Sequence, residues 1–139
     1  MRAFLALLLL LPLALVSAFA GPKAEEPHCA FSDEPFMIMF TITSCATEYF
    51  ATHHAWPTTT QQLRSQLERT ATTLRAADKP SAKDIDRFFA RFSNIELKRG
   101  RDLLLGVRYR VQDKGYSHRI LLHPGRNPDE MLQASSEVK

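Results

Sequence analysis

The sequence predicts an α+β fold in which two or three N-terminal helices pack on a three-stranded antiparallel β-meander. Two observations lead to this prediction. Between about residues 35 and 92, apolar residues recur at three- and four-residue intervals, which is the period of a helix. From Ile95 to Leu122, apolar residues alternate instead with polar ones, in three runs separated by short turns. The helices therefore come first in the chain and the sheet follows.

Residues 1–20 have the three parts of a secretory signal peptide. Arg2 supplies a positive start, residues 3–16 are almost wholly apolar, and Ala18-Phe19-Ala20 matches the small-x-small pattern before a cleavage point. We predict cleavage after Ala20 and a periplasmic or secreted protein. The alternative is a retained membrane anchor, although the apolar run has about 14 residues and a spanning helix needs roughly 20.

Residues 21–34 are polar and contain prolines, so we expect an extended leader. In an oxidising compartment an even number of cysteines favours pairing, and we expect Cys29 and Cys45 to form a disulfide. Closing a loop of that size stabilises a fold by about 3 kcal/mol in the chain-entropy model. The alternative is that Cys45 is a buried thiol in the first helix and Cys29 is free.

The first helix is expected to run from about Pro35 to about His54, with Ser32 or Asp33 as its cap. Its first two turns, residues 36–40, are apolar on every side. Such a segment needs cover from the sheet and the second helix, or it is a docking surface for a partner or a membrane. Trp56-Pro57 forms the corner that ends this helix, because the residue before a proline is disfavoured in the α region. The indole is expected to fold back over the corner.

Two capping-box spacings mark the next helices. Thr59 with Gln62 starts the second helix, and Ser81 with Asp84 starts a short third helix or a single tight turn. The apolar stripes that follow are Leu63, Leu67, Ala71 and Leu74 in the second, and Ile85, Phe88, Phe89 and Phe92 in the third.

The segment 49–63 resembles an element of pilin-like and pseudopilin subunits and of other small exported proteins. It contains Tyr49, the corner Trp56-Pro57-Thr58-Thr59, and Leu63. In those subunits a helix that carries a tyrosine ends at a Gly-x-Tyr/Trp-Pro corner, followed by threonines and a leucine. The resemblance implies a structural subunit of a pilus-like or secretion assembly. This chain departs from the pattern at Ala55, which replaces the glycine, and in having its apolar run before the predicted cleavage point.

The polar face of the meander is the candidate binding surface. Period-two alternation places Arg108, Arg110 and Arg119 on one side of the sheet, close together, and Glu96 on the neighbouring strand could neutralise one of them. The face then suits an anionic partner: an acidic envelope protein, an anionic glycan or lipid headgroups. The alternative is an ordinary solvated sheet face. The domain is predicted to span residues 35–124, and residues 125–139 to form a flexible tail.

The sequence offers little support for other functions. The net charge of +3 is too small to indicate nucleic-acid binding. The spacing of histidines and cysteines matches no metal site, and no nucleophile elbow, P-loop or dinucleotide motif is present, so we expect no metal, no cofactor and no enzyme activity. His118 is interpreted as a core histidine, and His123 has no assignable carboxylate partner.

The resulting prediction is a small exported, non-catalytic binding or accessory protein of the cell envelope. The alternatives are the structural subunit named above, and an inhibitor or immunity protein against a periplasmic hydrolase.

Overall fold

The computed structural model describes residues 31–133. The helices are α1 (Pro35–His53), α2 (Thr60–Thr72), α3 (Ala82–Ala90) and α4 (Pro128–Met131); the strands are β1 (Phe92–Arg99), β2 (Leu103–Val111), β3 (Lys114–Leu122) and β4 (Leu132–Gln133). The predicted class is confirmed, since helices precede a three-stranded antiparallel meander. The predicted signal peptide, most of the leader and Cys29 lie outside the described residues.

The sheet has the order β1-β2-β3-β4, with every neighbouring pair antiparallel. β2 and β3 pair without interruption from Leu103 opposite Leu122 to Val111 opposite Lys114. Their turn is therefore Gln112-Asp113, and Gln112 takes the left-handed φ of 53° that a tight hairpin requires.

The chain remains packed beyond Pro124, where the sequence analysis ended the domain. α4 places Met131 in the core with no exposed surface. β4 then pairs with the end of β3, Gln133 opposite Leu121 and Leu132 opposite Leu122. A four-residue helix and a two-residue strand are too short for a periodic pattern to reveal them, so only the tertiary contacts show this segment to be part of the fold.

The N-terminal cap of α1 differs from the prediction. Glu34 occupies the cap position and its side chain makes no capping bond, whereas the Ser32 hydroxyl accepts from the Glu34 N–H at 3.0 Å. The helix ends at His53 because His54 is left-handed, with φ 54°, and its N–H donates to the Phe50 carbonyl at 2.8 Å. α1 thus ends three residues before Trp56, and the proline is not what stops it.

Alternation along β2 and helical spacing along the helices produce one core. Every second residue of β2 from Leu103 to Tyr109 is buried, under residues from α1, α2 and α3. The fully enclosed side chains of this core include Ile38, Ile42, Leu63, Phe88, Leu105, Val107 and Leu122. Leu74 departs from its predicted stripe: α2 ends at Thr72, so Leu74 follows the helix and is 46% exposed.

The Trp56-Pro57 corner joins the helices to the sheet. Both side chains are buried. The Trp56 ring contacts Phe50, with 4.3 Å between ring centroids, which agrees with the expected fold back over the corner. Its indole N–H also donates to the Arg101 carbonyl at 3.1 Å, in the turn between β1 and β2. The corner therefore sets the position of a sheet turn as well as the angle between two helices.

None of the helices within residues 31–133 combines the length and the hydropathy needed to cross a membrane.

Candidate functional site

The outer sheet face is the side of the meander turned away from the helices. The register arranges it in cross-strand rows, because directly opposite residues share a face. Lys98 lies opposite Leu104, and Leu104 opposite Leu121. The next rows are Glu96, Gly106 and Arg119; then Asn94, Arg108 and Ser117; then Arg110 and Gly115.

The rows show which of the three predicted arginines are neighbours. Arg108 and Arg119 lie in adjacent rows on adjacent strands, a diagonal relation that places Cα atoms roughly 7–8 Å apart. Arg110 is two rows from Arg119, at the hairpin end. All three side chains are exposed. The prediction of a shared face is thus supported, and Arg108 is the central member: Arg119 is its diagonal neighbour, and Arg110 lies two residues along the same strand, roughly 6.6 Å away.

Gly106 forms a depression in the outer sheet face, because it has no side chain. A Cβ added there would lie 3.3 Å from Glu96 Oε2 and 4.0 Å from Arg119 Cγ, so the side chains of Glu96 and Arg119 approach each other over the bare backbone. A larger residue at this position would separate them. No role was predicted for Gly106 from the sequence. The signal that could have predicted one is a glycine inside a strand of alternating apolar and polar residues.

Glu96 compensates little of the positive charge. Lys98 Nζ lies 3.0 Å from Glu96 Oε1. The pKa of Glu96 is lowered, first by its hydrogen bond with Lys98 and the charge of that lysine, and also by the charges of Arg119 and Arg108. Among residues 31–133 no carboxylate lies within 4.0 Å of Arg108, Arg110 or Arg119. One carboxylate therefore faces four cations, and the guanidinium groups are free to bind an anion in the two-pronged geometry that arginine favours.

His118 lies on the core face, where the sequence analysis placed it. Its Nε2 is 3.1 Å from the Tyr109 hydroxyl, which donates to the Pro35 carbonyl at 3.2 Å. Because the hydroxyl donates its proton to the Pro35 carbonyl, the second bond needs a proton on His118 Nε2, which donates to the hydroxyl oxygen. His118 Nδ1 is then a buried acceptor without a partner in the described part of the chain. Burial lowers the pKa of His118. Burial also raises the pKa of Tyr109 to about 12, and the neighbouring Tyr116 contributes to that increase. Both groups are neutral near pH 7, which suits a structural role.

His123 has a carboxylate partner that the sequence analysis could not assign. Its Nδ1 lies 2.9 Å from Asp102 Oδ2. The two residues extend the β2–β3 register by one position past Leu103 opposite Leu122, so the completed hairpin register would have identified the pair. Both are partly exposed, and such surface pairs contribute about 0–1 kcal/mol to stability.

The predicted disulfide remains a prediction. Cys45 is buried and has no disulfide partner among the described residues, whereas Cys29 lies outside them. Burial, together with the charge of Glu48, raises the pKa of the Cys45 thiol to about 12, so a free thiol there stays protonated and unreactive at neutral pH. Within residues 31–133, no three His, Cys, Asp or Glu side chains cluster in a way that would hold a metal ion.

Comparison of the chain with models of protein families, with curated proteins and with solved structures found no match. The class of protein therefore rests on the α+β fold and on the chemistry of its surfaces.

Proposed function

We propose that this chain is a small exported, non-catalytic binding protein of the cell envelope, which captures an anionic partner on its outer sheet face. One observation carries the proposal: Lys98, Arg108, Arg110 and Arg119 share that face with a single carboxylate, Glu96. The signal-peptide pattern of residues 1–20 supports the location.

The shape of the face favours an extended partner. An open sheet with exposed arginines in different rows has no enclosure that would surround a small ligand. Carboxylate, sulfate or phosphate groups repeated along an acidic protein or an anionic glycan would reach Arg108 and Arg119 together. Bidentate hydrogen bonds to each guanidinium would then add specificity to the attraction between charges.

The test compares two double variants with the same change in charge. Arg108→Ser with Arg119→Ser removes the diagonal pair, and Arg69→Ser with Arg75→Ser removes two exposed charges from the helical side. Using heparin as the anionic polymer, we expect the first variant to bind roughly tenfold more weakly and the second to change less than twofold. Equal losses would mean that overall charge alone governs binding, which would refute the outer sheet face as a site.

A single substitution tests the geometry within the face. Because Arg108 lies between Arg110 and Arg119 on the face, Arg108→Ser should weaken heparin binding more than either Arg110→Ser or Arg119→Ser. Titrations at several salt concentrations provide the measurement, since the number of charges engaged sets the salt dependence. A larger effect of Arg110 would move the centre of the site to the hairpin end.

A second candidate function is supported by the exposed start of α1. Ile38 and Met39 are buried, but Phe36 is 75% exposed, Met37 41% and Phe40 49%. The rings of Phe36 and Phe40 stack at 6.4 Å between centroids. The cover expected for this segment is thus partial, and the uncovered side chains suit a contact between subunits of an assembly.

Light scattering of the mature protein separates the two candidates. A subunit of an assembly should self-associate, and Phe36→Ser with Phe40→Ser should abolish the association without loss of stability, because both side chains are largely exposed. A protein that stays monomeric at high concentration would count against the assembly function.

A further inference from the structure

A groove lies between α1, α2 and the start of α4, on the side of the molecule formed by the helices. Its volume is about 410 Å³. The apolar side chains along it include Phe40, Leu67, Leu74 and Pro128. A mostly apolar cleft of a few hundred cubic ångströms, with a small number of polar groups, has the dimensions and lining of a small-molecule site.

The polar part of this helix groove is centred on Glu48. Its Oε2 accepts from the Thr70 hydroxyl at 2.5 Å and, more weakly, from Gln66 Nε2 at 3.5 Å. Gln66 is buried at 5% exposure, so it holds the carboxylate from the core side. Both donors are neutral. They orient the carboxylate but do not cancel its charge.

The charge of Glu48 has no counterpart in the described residues. No basic side chain of residues 31–133 comes within 4.0 Å of it. The groove lining contains a second carboxylate, Asp129, and no lysine, arginine or histidine. An anionic group held at an apolar wall by neutral donors is stabilised further when a cation enters beside it, because the wall reduces the screening by water.

We propose that the helix groove binds a small organic cation with an apolar body, its ammonium group beside Glu48 and its hydrocarbon along Phe40, Leu67 and Leu74. The proposal is independent of the anionic partner proposed for the outer sheet face. The two sites lie on different layers of the fold and have opposite charge, so the loss of one would leave the other intact.

The test uses three probes of the same chain length and different charge: n-octylammonium, n-octanol and octanoate, each below its critical micelle concentration or solubility limit. Calorimetric titration measures affinity, and chemical shifts of the backbone amides locate binding. We expect n-octylammonium to bind about tenfold more tightly than n-octanol, because its ammonium makes a charge-assisted hydrogen bond with Glu48, and octanoate to bind most weakly, because its carboxylate is repelled. Shifts should concentrate at α1, α2 and Pro128–Met131.

Two variants assign the preference to Glu48. Glu48→Gln keeps the shape and removes the charge of the carboxylate at the ammonium position, so the tenfold preference for n-octylammonium over n-octanol should be lost, although Asp129 remains. Glu68→Gln is the matched control on α2; Glu68 does not line the groove and pairs with Arg64, so the tenfold preference should persist. If Glu48→Gln fails to fold, Ser44→Lys supplies an internal cation one helical turn from Glu48 and should likewise abolish the preference.

Three outcomes would overturn the proposal. Equal affinity of the wild-type protein for all three probes would leave an unselective apolar cleft. Binding whose shifts map to the sheet would place the cation elsewhere. Self-association that n-octylammonium reverses would assign the groove to a second copy of the chain.

Discussion

Single residues in the core carry polar groups whose partners follow from the fold. His118 and Tyr109 lie on adjacent strands, in adjacent rows of the core face. The start of α1 supplies the Pro35 carbonyl, which completes the chain of hydrogen bonds. The network ties the sheet to the first turn of the helix. Its weak point is His118 Nδ1, which is buried and accepts no bond in the described part of the chain.

The lowered pKa of His118 gives its stability contribution a definite sign. The unfolded chain binds a proton at this histidine near pH 6.5, whereas burial delays protonation in the folded protein to a lower pH. The contribution is therefore fully present above pH 6.5 and is lost as pH falls through the folded pKa. Urea unfolding between pH 7 and 5 should show stability falling, and the fall should be smaller in His118→Gln.

Thr60→Ala provides the control for this titration, because it removes no titratable group and Thr60 is exposed. Its profile should match that of the wild-type protein. An unchanged profile in His118→Gln would show that another group causes the acid sensitivity.

At the scale of single secondary-structure elements, the capping boxes at the starts of α2 and α3 are the clearest local feature. Both predicted capping boxes are present: Thr59 and Ser81 accept from the N–H groups of Gln62 and Asp84, and the side chains of those residues accept in return. This pattern is local, since each partner lies three residues from the other, so it can be identified in the sequence.

Loss of the α2 cap should destabilise the protein by about 1 kcal/mol. In Thr59→Ala the Gln62 N–H loses the Thr59 hydroxyl, its acceptor at 3.2 Å, and keeps only the Thr59 carbonyl at 3.1 Å. Thr60→Ala is the matched control, because Thr60 is exposed and lies inside the helix, and it should change stability by only a few tenths of a kcal/mol. Chemical denaturation of both variants measures the difference; equal values would show that the cap is not important to stability.

The end of α1 allows a stabilising change. His54 adopts φ 54°, a conformation in which glycine avoids the Cβ clash. His54→Gly should therefore raise the free energy of unfolding by about 0.5–1 kcal/mol. Ala55→Gly places the glycine where the resembled corner has it, but Ala55 does not have a positive φ, so that variant should be neutral or destabilised. The opposite ranking of thermal midpoints would contradict the assigned helix end.

At the scale of the whole molecule, one side chain spans the two layers. Trp56 contacts Phe50 on α1 and bonds to the Arg101 carbonyl in the first sheet turn, 45 residues further along the chain. Burial of its ring and the single N–H bond contribute separately to stability, because the first depends on the buried area and the second on the indole N–H keeping an acceptor.

Two substitutions separate these contributions. Trp56→Phe keeps an aromatic ring but removes the N–H donor, and should cost about 1–2 kcal/mol. Trp56→Ala also leaves a cavity and should cost about 3–5 kcal/mol. Urea unfolding monitored by circular dichroism gives both values. Wild-type stability in Trp56→Phe would mean that the bond to Arg101 does not help to hold the layers together.

The molecule also presents surfaces of different character on its two layers. The outer sheet face is basic, and the helix groove is apolar and lined by Glu48 and Asp129. The exposed Phe36 and Phe40 extend the apolar surface along α1. The outer sheet face can therefore be altered without changing the groove, whereas Phe40 belongs both to the groove and to the exposed start of α1.

The sequence by itself determined what depends on neighbours along the chain. Helical spacing, two capping boxes and strict alternation in the strands predicted the α+β order and placed Arg108, Arg110 and Arg119 on one face, because side-chain direction follows from the local backbone period. The sequence also predicted the end of α1 to within one residue. The prediction relied on Trp56-Pro57, whereas the left-handed conformation of His54 is what ends the helix.

Only the tertiary structure decided which distant residues meet. It placed Arg108 between Arg110 and Arg119, joined Asp102 to His123, brought Thr70 and Gln66 to Glu48, and packed Met131 into the core. These contacts depend on the strand register and on how helices pack together, and residues far apart in the chain carry no local pattern that specifies either.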